Sequence, residues 1–316
     1  MRALMCPPDF IRIDKEINEC MDKRNQPDRQ RARVEWLRLV AAYAQWGIKL
    51  WFIEPEPQFQ DMCFAANAGW CQWNKLILGN FIGKMGEARQ GEIAYYRQWF
   101  EKRRGAFSDI EIHLIPHSRT ALRYGFAGQG DVVTVGTSKK QATILMGYGQ
   151  ERTAYEMYAI LREIHGLAPH QVKPIRLIDN KRKLYDLDLI CFYIPPFDSL
   201  PETLIWYPPG TDKAGQSTIS ELVDKNNQII IDVKKAHNAV CNSVFVPVSK
   251  SMNILTHYLD TRLFSQLRER GYIVRKCPTH EFLKSGGGIR CLTLFLPEKR
   301  CNNERTVPRA DSEKIS

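Results

Sequence analysis

The sequence predicts a single α/β domain assembled from repeated units, and three observations carry that expectation. The chain has 316 residues, enough to bury a sizeable core. A unit of amphipathic helix, glycine and strand recurs along it at intervals of roughly 40–60 residues. Hairpin-like strand pairs fill the intervals, and no linker sets off a second domain.

The first helix starts at Asp28, whose short acceptor side chain suits an N-cap, and Val34, Leu37, Val40 and Ala41 share one of its faces. Gly47 stops it, because glycine takes the left-handed C′ conformation without a Cβ penalty, and strand Ile48–Ile53 follows. Helix Glu92–Arg103 with Gly105 leads in the same way to Ile110–Ile115. Helix Ala154–Ile164 with Gly166 leads to Val172–Ile178. A shorter helix, Ser217–Val223, precedes Ile229–Val233, and Thr261–Arg268 with Gly271 precedes Tyr272–Arg275. Val132–Val135 and Ala142–Met146 read as a hairpin around the polar turn 138–141. From Lys299 the chain is polar and aperiodic, so the expected domain is 1–298 and the tail 299–316 is expected to be disordered.

A hydrophobic fraction of 44% and a charged fraction of 25% are those of a soluble globular protein. No apolar run has the length to span a bilayer, and MRALMCPPDF lacks the apolar stretch of a secretory signal. Nine scattered cysteines without a CxxC pair fit reduced thiols, which points to a cytoplasmic or mitochondrial-matrix interior. The net charge of +10 suits either a solvated basic surface or an acidic partner, and leaves nucleic acid among the candidates. The basic runs 102–104, 139–140 and 181–183 are short and lack the aromatic interleaving of a nucleic-acid motif. Asp186 and Asp188 stand two apart on an expected strand and would face one side, but nothing else marks a coordination shell. His237 and His280 sit in no ligand spacing, so no metal and no cofactor is expected.

The segment most suggestive of chemistry is Ser285-Gly286-Gly287-Gly288-Ile289-Arg290-Cys291. Three glycines let a backbone approach a ligand closely, and a cysteine beside Arg290 could have a lowered pKa and serve as a nucleophile. The blander reading is a tight turn feeding a buried strand, with Cys291 as a small apolar filler.

The stretch 281–294 resembles the segment that bears the nucleophilic cysteine in the arginine dihydrolase and dimethylarginine dimethylaminohydrolase-like branch of the penteins, a guanidine-modifying superfamily. Met5-Cys6-Pro7-Pro8, Ile17-Asn18, the stretch 61–69, Arg89-Gln90-Gly91-Glu92, the stretch 126–131, Gly147-Tyr148-Gly149 and the stretch 238–242 extend the likeness in order over residues 1–297. The resemblance implies a five-bladed ββαβ propeller. It implies a thiolate that attacks the guanidinium carbon, a histidine that moves the proton, and carboxylates that hold the cation. On this sequence it points to Cys291 as nucleophile and to Asp188, Asp131, Asp61, Asn67, Asn18 and Arg152 as pocket residues.

The chain departs from that pattern. Asp186 stands where the histidine belongs, Ala127 replaces a guanidinium-binding glutamate, and the rim loop reads Ile17-Asn18-Glu19-Cys20-Met21. Loss of a general acid–base group costs about 10²–10⁴-fold in rate, unless Asp186 and Asp188 share a proton as a buried dyad. The leading expectation is therefore an inactive pentein acting as a structural or accessory subunit of a larger, organellar assembly. The alternative is a Cys-dependent hydrolase or amidinotransferase on arginine, methylarginine or another amidine. It would use Cys291 as nucleophile, Asp188 as cation anchor, and Asp186 or water as proton carrier. A third reading is a sensor of an arginine-like ligand, with Arg152 on its carboxylate and Asp61 on its amino group.

Overall fold

In each repeated unit two strands pair antiparallel, the chain crosses over through a helix, and a third strand returns parallel to the second. The computed structural model describes residues 1–89, 91–115, 124–149, 151–178, 183–198, 200–249 and 251–298. The first unit holds β1 (Arg2–Met5), α1 (Arg29–Gln45) and β2 (Lys49–Phe52). The second holds β3 (Gly69–Gln72), β4 (Lys75–Leu78), α2 (Gly83–Ala88), α3 (Glu92–Lys102) and β5 (Glu111–His113). In the third, β6 (Val132–Val135) and β7 (Thr143–Tyr148) precede α4 (Met157–His165) and β8 (Val172–Arg176). The fourth runs β9 (Cys191–Ile194), β10 (Thr203–Trp206), α5 (Lys213–Ser220) and β11 (Gln228–Ile230), and α6 (Val233–His237) links it onward. The fifth comprises β12 (Val244–Val248), β13 (Ser251–Thr256), α7 (Thr261–Glu269) and β14 (Tyr272–Lys276), before α8 (His280–Leu283) and β15 (Leu294–Leu296).

Among the described residues there are five sheets of three strands each, which matches the expected α/β repeat. The first is completed from the far end of the chain: β15 pairs antiparallel with β1, Leu4 opposite Leu294. The two ends of the domain thus share one sheet, and the residues just before β15 are drawn to the end of β1. The tail from 299 onward, Gln90 and residues 181–182 of the third basic run lie outside the described residues.

Helix ends follow local chemistry. The Asp28 carboxylate accepts the Arg31 N–H, and Asp260 accepts that of Leu263. Gly47 and Gly166 end α1 and α4 with φ of 71° and 59°. The buried face of α1 differs from the expected one. It carries Ala32, Trp36, Leu39, Ala42 and Tyr43, while Val34 and Leu37 are 48% and 49% exposed. The two aromatics bring more apolar area than the valine and leucine, so the helix turns them inward. Glu35 is buried with them, because its carboxylate accepts the His280 and Glu281 N–H groups at 2.9 and 3.0 Å, at the start of α8. Glu281 in turn accepts the Asp28 N–H at 2.7 Å. These reciprocal bonds lock α8, and the glycine loop behind it, onto α1.

The Asp186–Asp188 segment also departs from expectation. It is a turn entering a short 3-10 helix, Leu187–Leu189, rather than a strand, so the period-2 argument for a shared face does not apply.

Candidate active site

One polar side chain arrives from each unit, just ahead of that unit's first strand. Asn67 precedes β3, Asp131 precedes β6, Asp188 precedes β9, Asn242 precedes β12 and Cys291 precedes β15. All are buried. Short 3-10 turns at Ala65–Ala68, Gly128–Asp131 and Leu187–Leu189 place three of them. The repeat therefore builds the cluster, and no single segment of sequence contains it.

The glycine loop brings Cys291 in. Gly286 has φ of 89°, and a Cβ there would collide with the Tyr185 hydroxyl; a Cβ on Gly287 would enter the Phe64 ring. Only glycine lets this backbone pass between the two aromatic rings. The Cys291 Sγ accepts the Asn242 Nδ2 donor at 3.0 Å, and Asn242 Oδ1 accepts the Cys291 N–H at 3.2 Å. The Asp188 carboxylate lies 3.8 and 4.0 Å from the sulfur. On the other side of Asp188, the Arg290 Nε stands 3.5 Å away.

Asp186 lines the same cavity but is held by a different partner. Its two oxygens take the Arg152 guanidinium at 2.5 and 2.9 Å, and that guanidinium lies over the Tyr185 ring, 4.6 Å from its centroid. Asp131 accepts from the Thr153 hydroxyl at 2.5 Å and from the Leu187 N–H at 3.0 Å. Asn67 donates to the Ala127 carbonyl and accepts from Arg89, which forms a fully buried ion pair with Glu92. Asn18 donates to the Ser285 carbonyl. Asp61 takes the Gln60 amide on one oxygen, while its Oδ1 is buried with no partner. Asn18, Asp61, Asn67, Arg152, Asp186 and Cys291 line one small cavity, in which about 10 Å³ remains, the room of one water. Ile17 and Met21 form part of its wall.

Burial sets the electrostatics. It pushes the Asp188 carboxyl up to about 8, with Arg290 pulling the other way. It raises Asp61 to about 6 against the pull of Arg89. Asp131 is raised by burial and then by the nearby charge of Asp186. The Cys291 thiol is pushed above its ordinary value, first by burial and then by Asp188 and Asp186. The expectation that Arg290 would lower it fails, because the Arg290 charge is directed at Asp188 rather than at the sulfur.

Sequence reasoning had not assigned roles to Asn242, Thr153, Arg89 or Glu92. Asn242, Arg89 and Glu92 sit inside stretches that carried the family resemblance, which was the available signal. Thr153 had none.

No family model matches the sequence. The bifunctional arginine dihydrolase/ornithine cyclodeaminase ArgZ of Synechocystis sp. is 30% identical over 299 residues, 94% of this chain. Its N-terminal domain, solved as a substrate-bound mutant, superposes with a TM-score of 0.77 at 28% identity, over 93% of this chain and 97% of that one. The chain belongs to the pentein superfamily. This pentein spans 38% of the full length of ArgZ. It is also 27% identical, over 93% of its own length and 85% of the relative's, to the N(G),N(G)-dimethylarginine dimethylaminohydrolase of Mycobacterium tuberculosis. These relatives are hydrolases named for arginine and for dimethylarginine, and they overturn the expectation of an inactive accessory subunit. The expectation of an organellar assembly rested on that reading and loses its support with it.

Proposed function

We propose that this pentein is a Cys291-dependent hydrolase that cleaves a C–N bond of a cationic amidine, the class to which arginine and methylarginine belong. The observation that carries the reading is the buried Cys291 sulfur, held by the Asn242 amide at 3.0 Å and standing 3.8 Å from a carboxylate whose pKa lies near 8. A nucleophile, a group that orients it and a proton carrier poised near neutral pH are the parts this chemistry needs.

Asp188 does the proton work, since both oxygens of Asp186 are committed to Arg152. With the substrate bound, its cation lies against Sγ and close to the Asp188 carboxylate, and favours the charged form of both. Sγ attacks the amidine carbon and the S–C bond forms, while the thiol proton passes to Asp188. The tetrahedral adduct is neutral, so Asp188 keeps that proton until the amine leaves, and gives it up as the C–N bond breaks. Water then adds to the cationic thio-intermediate, its proton going to Asp188. The C–S bond breaks as the adduct's hydroxyl proton passes to sulfur, which regenerates the thiol and releases a urea-type product, and Asp188 returns its proton to solvent, balancing the one the free amine takes up there.

Incubating the purified protein with arginine, N(G),N(G)-dimethylarginine and agmatine, then measuring ammonia, dimethylamine and citrulline-type products, tests the reading. Turnover that disappears in Cys291→Ala is expected. Absence of turnover on all three, or turnover unchanged in the variant, overturns it.

A further inference from the structure

The cavity that holds Cys291 is lined by two cations, and both already have carboxylate partners. Arg89 is paired with Glu92 and bonded to Asn67. Arg152 is paired through both nitrogens with Asp186 and covered by the Tyr185 ring. Among the described residues that line the cavity there is no other lysine, arginine or histidine. Against this stand two carboxylates without such a commitment. Asp61 directs a fully buried oxygen with no hydrogen-bond partner at the cavity. Asp188 meets the Cys291 sulfur, the Asn242 amide and, more loosely, Arg290.

A buried carboxylate oxygen with no donor is costly, and a bound ammonium or amidinium relieves it. A ligand carboxylate in the same space would find no free cation and would face Asp61 and Asp188. We infer that the substrate is cationic at both ends, an amidine or guanidine joined to an amine, and carries no carboxylate. The amidinium lies against Cys291, within the field of Asp188 behind the sulfur, and the amine takes the open oxygen of Asp61. This rests on the hydrolase reading above and narrows its substrate. The Arg152–Asp186 pair is then a specificity device: like the Arg89–Glu92 pair, it uses up a guanidinium that could have greeted an α-carboxylate.

Three probes separate the charges. Agmatine has the guanidinium and the amine without a carboxylate. L-Arginine methyl ester has the amine and a neutral ester. L-Arginine has the charged carboxylate. The full chain is expected to turn over agmatine with kcat/KM at least about tenfold above arginine, with the ester between them. Asp186→Asn, which releases Arg152, is expected to raise the arginine-to-agmatine ratio of kcat/KM by about tenfold. Arginine preferred by the unmodified chain overturns the inference and leaves the hydrolase reading standing. If none is turned over, the hydrolase reading falls, and thermal shift decides the charge argument separately. A melting-temperature rise with agmatine above that with arginine supports it; an equal or larger rise with arginine overturns it. The unmodified chain suffices for these arms, so misfolding of the variant leaves the test intact.

Discussion

Replacing Asp188 by asparagine is the perturbation most directly tied to the chemistry. The carboxylate must be ionised in the free enzyme to receive the cation and then the thiol proton. Burial has pushed it up to about 8, so the charged form predominates only above that pH. At pH 7, one unit below, roughly one molecule in eleven carries the charge; at pH 9, roughly ten in eleven do. The kcat/KM of the unmodified enzyme should therefore rise about tenfold between pH 7 and pH 9, with an apparent pKa near 8. A guanidinium substrate keeps its own charge throughout that window, so the limb reports the enzyme. Asp188→Asn should lose the limb and about 10²-fold or more of the plateau rate. The assay is initial-rate ammonia release across the pH range, with circular dichroism to show that the variant is folded. A profile flat or falling from pH 7 to 9, or the same limb in Asp188→Asn, would refute the proton role.

Further outcomes follow from other contacts. The Cys291 thiol is pushed up by burial and by Asp188, so at pH 7 a neutral haloacetamide should alkylate it slowly and a cationic haloacetamidine much faster. Peptide mass spectrometry reads both, and equal rates would argue against substrate-assisted ionisation. Asp186→Ala strands the buried Arg152 guanidinium and should cost about 3–5 kcal/mol by urea unfolding, much of it restored by Asp186→Ala with Arg152→Met. His165 is buried with neither ring nitrogen bonded, between Trp70 and Trp73, and burial lowers it to about 3. The unfolded chain takes a proton there below about pH 6.5 and the folded one does not, so stability falls with pH by about 1.4 kcal/mol per unit in that window. His165→Leu should shrink the stability lost between pH 7.5 and 4.5 by about 3 kcal/mol, and an unchanged loss would refute this source.

Most of the fold was legible because helix stops and periodicity are local. Gly47, Gly166 and Gly271 ended helices or turned the chain as expected, with φ of 71°, 59° and 80°. The expected hairpin of the third unit formed with Val132 opposite Met146. The inward face of α1 was misjudged because apolar spacing ignores a buried carboxylate, and Glu35 is held inside by two N–H donors more than 240 positions away in sequence. The strand expected at Asp186–Asp188 failed for a similar reason. The Asp131 carboxylate takes the Leu187 N–H, and the chain turns there to let it.

By itself the sequence determined the repeat, the glycine loop and the presence of a cysteine behind it, because these depend on neighbours a few residues apart. Through the family resemblance it also set Asp186 where a proton carrier was expected. What Asp186 does there was decided only by tertiary structure. Its partner, Arg152, lies 34 residues away, and the carboxylate beside the Cys291 sulfur comes from a residue 103 positions distant. The charge of a buried group depends on which others share its cavity and how much water is excluded, and that is a property of the closed fold.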